Sequence, residues 1–179
     1  MKKLILAIGI TAALAFASAV GAAPTTTFGG ATTNADGSVT LNSSASPFAA
    51  GIDFSVPGGT FVGDLTAFSL DYNFAADCPS GVPKLAIGTP RGTISISLAS
   101  VAGFSCTSGH NLYVLNPTTA TDTGQILGGT SADTWGHAKS EYDNLAVNSI
   151  QLVTTGPNQA VTVWNINLVI THGAPTASL

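Results

Sequence analysis

The sequence predicts an all-β fold: a two-sheet antiparallel sandwich, jelly-roll-like, with one disulfide. Three observations carry this. Short segments alternate apolar and polar residues with period two, Gly, Pro and Asn turns separate them, and no window after the first twenty residues has a convincing 3.6-residue period. About eight short strands of this kind fit a sandwich better than a helical or α/β fold.

The strands follow in chain order. Val39 and Leu41 come after Asn34-Ala35-Asp36-Gly37, whose Asp-Gly pair suits a tight hairpin. Ile52, Phe54 and Val56 form a short strand ended by Pro57-Gly58-Gly59. Phe68, Leu70, Tyr72 and Phe74 alternate with Ala67, Ser69, Asp71 and Asn73, the pattern of a half-buried strand. Ile94, Ile96 and Leu98 repeat it, and Leu112–Leu115 stops at Asn116-Pro117. Two strong strands close the chain, at 146–154 and 160–170. The turn Thr155-Gly156-Pro157-Asn158 joins them, so they are expected to pair or to pack as neighbours. In the last, Trp164, Ile166, Leu168 and Ile170 share a face and read as core, while Asn165 and Asn167 point away. The polar stretch 116–144 has no regular pattern. At its length it either hides a short strand or carries function.

Lys2 and Lys3, an uncharged run from Leu4 to Val20 and the small residues Ala17-Ser18-Ala19 and Val20-Gly21-Ala22 have the layout of a secretory signal peptide. The expectation is a leader at 1–22, cut between 19 and 23, and a single domain at 23–179. The run is short for a membrane span, so no membrane association is expected once the leader is gone. The chain is expected outside the cell, or in a periplasm.

The 160 residues after Ala19 carry three bases, Lys84, Arg91 and Lys139, against nine acids, a net charge of −6. Their 38 Ser and Thr against 12 charged residues mean that hydroxyls and amides must solvate the surface. That charge balance argues against a nucleic-acid partner. Cys78 and Cys106, an even pair in an exported chain, read as a disulfide. It would close a loop of about 29 residues, worth roughly 3.5 kcal/mol in the chain-entropy view.

The segments Asn34–Leu41, Asp64–Asn73, Asp77–Lys84 and Val147–Val153, with the final Val-Thr-Val-Trp-Asn-Ile-Asn-Leu strand, resemble uncharacterised secreted bacterial β-sandwich domains and, more distantly, jelly-roll carbohydrate-binding modules. The resemblance implies a fold and a secreted, non-catalytic habit, and no substrate. Where an Asp-Asn pair is expected in the last strand this chain has Trp164-Asn165, so no ligand or calcium site is carried over.

The constellations for catalysis are missing. Gly103-Phe104-Ser105-Cys106-Thr107 lacks the last glycine of a nucleophile elbow. Glu141 is the sole Glu, and nothing fixes its distance from Asp133 or Asp143, as a glycosidase pair would need. The chain is therefore not expected to be an enzyme. His110, His137 and His172 are scattered, and Asp133 and His137, four apart, share a face only in a helix, so no metal site and no cofactor are assigned. A structural Ca²⁺ at Asp71, Asp77 or Asp143 is compatible with the abundance of oxygen ligands.

Trp135 sits outside any alternating strand, with Asp133, His137, Tyr142 and Asn144 close by. These five residues are the candidate ligand site: a flat indole for a sugar ring, with short polar groups for its hydroxyls. Against it stands a Trp135 folded back to plug one end of the sandwich, which buried aromatic area favours. The functional expectation is a secreted, non-enzymatic binding or adhesive module for a polysaccharide or cell-surface glycan, working through the 116–144 loop. The alternative is a structural surface or matrix protein without a small ligand, suggested by the uncharged strand 160–170, an aggregation template if it were an exposed edge.

Overall fold

The computed structural model describes residues 19–21, 24–44, 46, 48–75, 82–100, 108–122, 132–157 and 160–171. In chain order the strands are β1 (Ala19–Gly21), β2 (Pro24–Gly29), β3 (Ala31–Thr33), β4 (Val39–Asn42), β5 (Ala49–Phe54), β6 (Leu65–Phe74) and β7 (Lys84–Thr89). Then come β8 (Gly92–Ser97), β9 (Asn111–Val114), β10 (Ala120–Asp122), β11 (Ala132–Thr134), the helix α1 (Trp135–Glu141), β12 (Ser149–Thr155) and β13 (Ala160–Thr171).

They form two antiparallel sheets. One has the order β3-β4-β13-β6-β9, with β1 also on β13; the other runs β11-β10-β8-β7-β12-β5-β2. The alternating segments behave as read: Phe68, Leu70, Tyr72 and Phe74 of β6 are buried, as are Ile94 and Ile96 of β8. β7, which the sequence reading did not pick out, buries Leu85 and Ile87. Phe54 of β5 meets Phe68 of β6 edge-on at 6.5 Å, joining the inner faces of the two sheets, and Phe68 meets Tyr113 of β9 at 6.0 Å. The Asn34–Gly37 turn closes the β3–β4 hairpin, with Asn34 N–H bonded to the Ser38 carbonyl at 2.8 Å.

The chain changes sheet at Gly29-Gly30. A Cβ on Gly30 would lie 1.8 Å from the Asn42 carbonyl oxygen, and one on Gly29 2.1 Å from that of Ala49. Only glycine lets three backbone segments meet so closely at this corner.

The structure differs from the sequence reading at three places. β12 and β13 do not pair but belong to different sheets. The 116–144 stretch does hide short strands, β10 and β11, as one expectation had it, and it also holds a helix, α1, which the sequence reading did not contain. Finally, Trp164 is only half-buried, because β13 does not keep one inward parity along its length. Val161 and Val163 point inward, but so do Leu168 and Ile170. A bulge between Trp164 and Asn167, with Asn165 at φ +48°, shifts the register against β6. Trp164 therefore lies on the outer face with Thr162, opposite Asp71.

β13 is flanked by β6 on one side and by β4 and β1 on the other, so it is an interior strand. Ala19–Gly21 pairs with Val169–Thr171, so the expected cleavage zone overlaps β1. The rest of the expected leader, and both cysteines with the bridge expected between them, lie outside the described residues.

Candidate functional site

The five residues singled out in the sequence do not converge. Trp135, Ala138 and Tyr142 are buried, forming the inward stripe of α1. Trp135 is 6% exposed, so its ring faces are covered and it occupies the plug arrangement. The helix starts at Thr134, whose hydroxyl accepts from His137 N–H at 3.3 Å, and its first turn is tied down by Trp135 N–H to the Thr119 carbonyl (2.7 Å) and Gly136 N–H to the Pro117 carbonyl (2.9 Å). Its far end rests on the β5–β6 connection, where Gly63 N–H bonds the Asp143 carbonyl at 2.9 Å.

With the apolar stripe inward, Asp133 and His137 come together on the outer side. Asp133 Oδ2 and His137 Nδ1 are 2.5 Å apart, and Glu141 Oε2 is 3.9 Å from the same nitrogen. His137 holds the Asp133 carboxyl below the usual carboxylate range, and Asp133 in turn raises the imidazole above its ordinary value. Asn144 takes no part: its backbone and side-chain amides both donate to Asp143 Oδ1 at 2.7 Å. Of the suggested calcium ligands, Asp71 is engaged elsewhere, Asp143 holds Asn144, and Asp77 lies outside the described residues.

A different site forms at the β13 bulge. Trp164, Asp71 and Leu112 stand in register across β13, β6 and β9 on the outer face. The His110 ring lies 5.4 Å from the Trp164 ring, tilted at 44°, and its Nε2 is 2.9 Å from Asp71 Oδ1. The side-chain amide of Asn165 donates to Asp71 Oδ2 at 2.6 Å. These two contacts, His110 first and then Asn165, hold the Asp71 carboxyl below the usual range. Further along the same face Leu112 and Val114 are 65% and 51% exposed, an apolar margin beside the polar cluster.

Trp164 and Asn165 also wall a cleft of about 560 Å³ between the sheets. Thr26, Thr27 and Ile52 line it from one side and Val39, Trp164 and Ile166 from the other. It sits where, among the described residues, β13 has no strand beside it, between the end of β4 pairing at Val163 and the start of β1 pairing at Val169. A second hollow of about 350 Å³ shares Gly37, Trp164 and Asn165 with it and reaches Asp36, whose carboxylate accepts from Ser38 N–H and Oγ–H. Among the described residues, the larger cleft has no charged side chain in its lining. Its volume is that of an ordinary small-ligand site.

Sequence reasoning missed this place because it assigned Trp164 to the core. The available signal was Asn165 itself, an Asn in a β-branched run and a residue type that tolerates positive φ. No protein-family model, curated protein or solved structure matches the chain.

Proposed function

We propose that the chain is an exported, non-enzymatic binding module that takes a neutral, hydroxyl-rich ligand, a polysaccharide or cell-surface glycan, at Trp164. The observation that carries the reading is the half-buried Trp164 beside a cleft of about 560 Å³ that, among the described residues, has no charged residue in its lining and is bordered by Thr26, Thr27 and Asn165. A sugar ring has an apolar C–H face and a polar rim. An indole covers the first, while fixed hydroxyls and amides answer the second without the desolvation cost of a charge. Asp71, Asn165 and His110 are already bonded to one another, so little side-chain order is lost on binding.

Binding is preferred to catalysis because, among the described residues, the larger cleft is lined by no carboxylate or histidine that would serve as acid or base. The matrix-protein reading is weakened, since β6 pairs along one side of β13 and β4 covers Ala160–Val163 on the other, whether or not the leader is kept. The proposal includes the finer fold assignment as well: a jelly-roll-like order, stapled by a Cys78–Cys106 bridge, in a chain freed from a leader at 1–22. A glycan array probed with the chain and with Trp164→Ala tests the function. Retention of neutral glycans by the parent and loss in the variant supports it. Equal retention by both, or no retention by the parent, overturns it.

A further inference from the structure

The geometry points to a surface site for a divalent transition-metal ion, of the zinc, cobalt or nickel class, at Asp133, His137 and Glu141. It is independent of the Trp164 cleft. The three residues recur every four positions from β11 into α1, so the buried stripe of Trp135, Ala138 and Tyr142 forces them onto the opposite, solvent-facing side. Among the described residues they are the one group of three whose ligand atoms gather, all within 4.8 Å of one another.

The spacing suits an ion of that size. Zn²⁺ binds imidazole nitrogen and carboxylate oxygen at about 2.0–2.2 Å, which in a tetrahedron sets neighbouring donors about 3.3 Å apart. The separations from His137 Nδ1, 2.5 Å to Asp133 and 3.9 Å to Glu141, fall on either side of that figure. His137 and Glu141 are 64% and 40% exposed at the side chain, so small rotations close the difference with no core movement. An ion entering there replaces one polar partnership by three ligand bonds.

Charge and ligand chemistry agree on the class. Two carboxylates and a neutral imidazole balance a dication. One nitrogen with two oxygens is too nitrogenous for a site dedicated to Mg²⁺ or Ca²⁺, and without sulfur it does not select Cu⁺. Three protein ligands leave the fourth position to water. The ion would staple β11 to α1 across the N-cap, fixing the end of the sandwich that Trp135 plugs.

The test is calorimetric titration of the full chain with ZnCl₂ after iodoacetamide treatment, so that free thiolates do not compete, with Co²⁺ absorption as a second reading. The expected result is one ion per chain, Co²⁺ bands of low symmetry, a rise in melting temperature with Zn²⁺, and no response to CaCl₂. Asp133→Asn, His137→Ala and Glu141→Gln should each weaken binding by at least the roughly 10–100-fold that loss of an outer-shell partner costs. His137 and Glu141 lie on the exposed side of α1, so the metal-free melting temperatures of His137→Ala and Glu141→Gln should stay near the parent's. No binding by the parent, or unchanged affinity in His137→Ala with its fold intact, overturns the site.

Discussion

Trp135→Ala and Trp164→Ala should affect the protein in opposite ways, and the structure gives the sizes. Trp135 is 6% exposed and packed with Ala138 and Tyr142 under α1. A tryptophan buries roughly 150–250 Å², which at about 25 cal/mol per Å² comes to about 4–6 kcal/mol, in line with the 3–5 kcal/mol that core Trp truncations cost. For a domain of this size each kcal/mol moves the melting point by about 2–4 °C, so Trp135→Ala should melt about 6–20 °C lower. Trp164 is half-buried and leans on His110 at 5.4 Å, so its removal should cost only about 1–3 kcal/mol. Calorimetric melting of both variants, with affinity electrophoresis against a retained glycan, reads the two effects together. Trp164→Ala should lose glycan retardation and keep most of its stability, while Trp135→Ala, measured below its lowered melting point, should keep retardation. If Trp164→Ala proves the more destabilising, the outward parity assigned to Trp164 is wrong. If Trp135→Ala alone abolishes retardation while folded, the ligand sits at α1 and the cleft reading fails.

The remaining predictions concern the bulge, the sheet corner and a buried phenol. Asn165→Gly should leave stability within about 1 kcal/mol of the parent because glycine accepts φ +48°, whereas Asn165→Val should cost about 1–3 kcal/mol through a β-branched residue at positive φ; denaturant midpoints of the pair measure this. Gly30→Ala should destabilise by about 3 kcal/mol or more, since its Cβ meets a backbone oxygen that cannot yield, while Gly58→Ala, with nothing within 4 Å, should be neutral or stabilise by about 0.4–1 kcal/mol. Burial pushes the Tyr113 phenol up to about 12; the Thr119 hydroxyl opposes this slightly without reaching hydrogen-bond geometry. A group raised in the folded state contributes stability that is whole below the unfolded value of about 10 and is lost as pH rises through 12. Melting points should therefore hold to about pH 9.5 and fall between pH 10 and 12, and a Tyr113→Phe variant should flatten that fall.

What could be read from the sequence divides along a physical line. The strands around Phe68–Phe74 and Ile94–Leu98 were legible because each buries one face and stays in register, so period two survives along its length. The helix at 135–141 was not, although Trp135, Ala138 and Tyr142 stand at i, i+3 and i+7. Seven residues containing Gly136 have little helical propensity, and the helix holds through Thr134 and through bonds to Thr119 and Pro117 that are made only once β10 and β11 are in place. Nor does the turn at 155–158 announce which sheet its strands will join. That is decided by β13 pairing with β4 and β6, which lie about a hundred residues earlier. The most instructive failure is Trp164, where alternation is a sound rule up to Val163 and again from Leu168, but the parity flips between them. The flip puts a strained backbone at Asn165, and the core explains it: with unbroken alternation either Val161 and Val163 or Leu168 and Ile170 would face out, whereas all four are buried with the bulge in place. Trp164, in phase with Thr162, is left outward beside Asp71 and His110, and the Asn165 amide reaches Asp71. A single parity change therefore satisfies the core on both sides of it and moves the strand's largest side chain from the predicted core to the surface, which no period-two reading of 160–170 could anticipate.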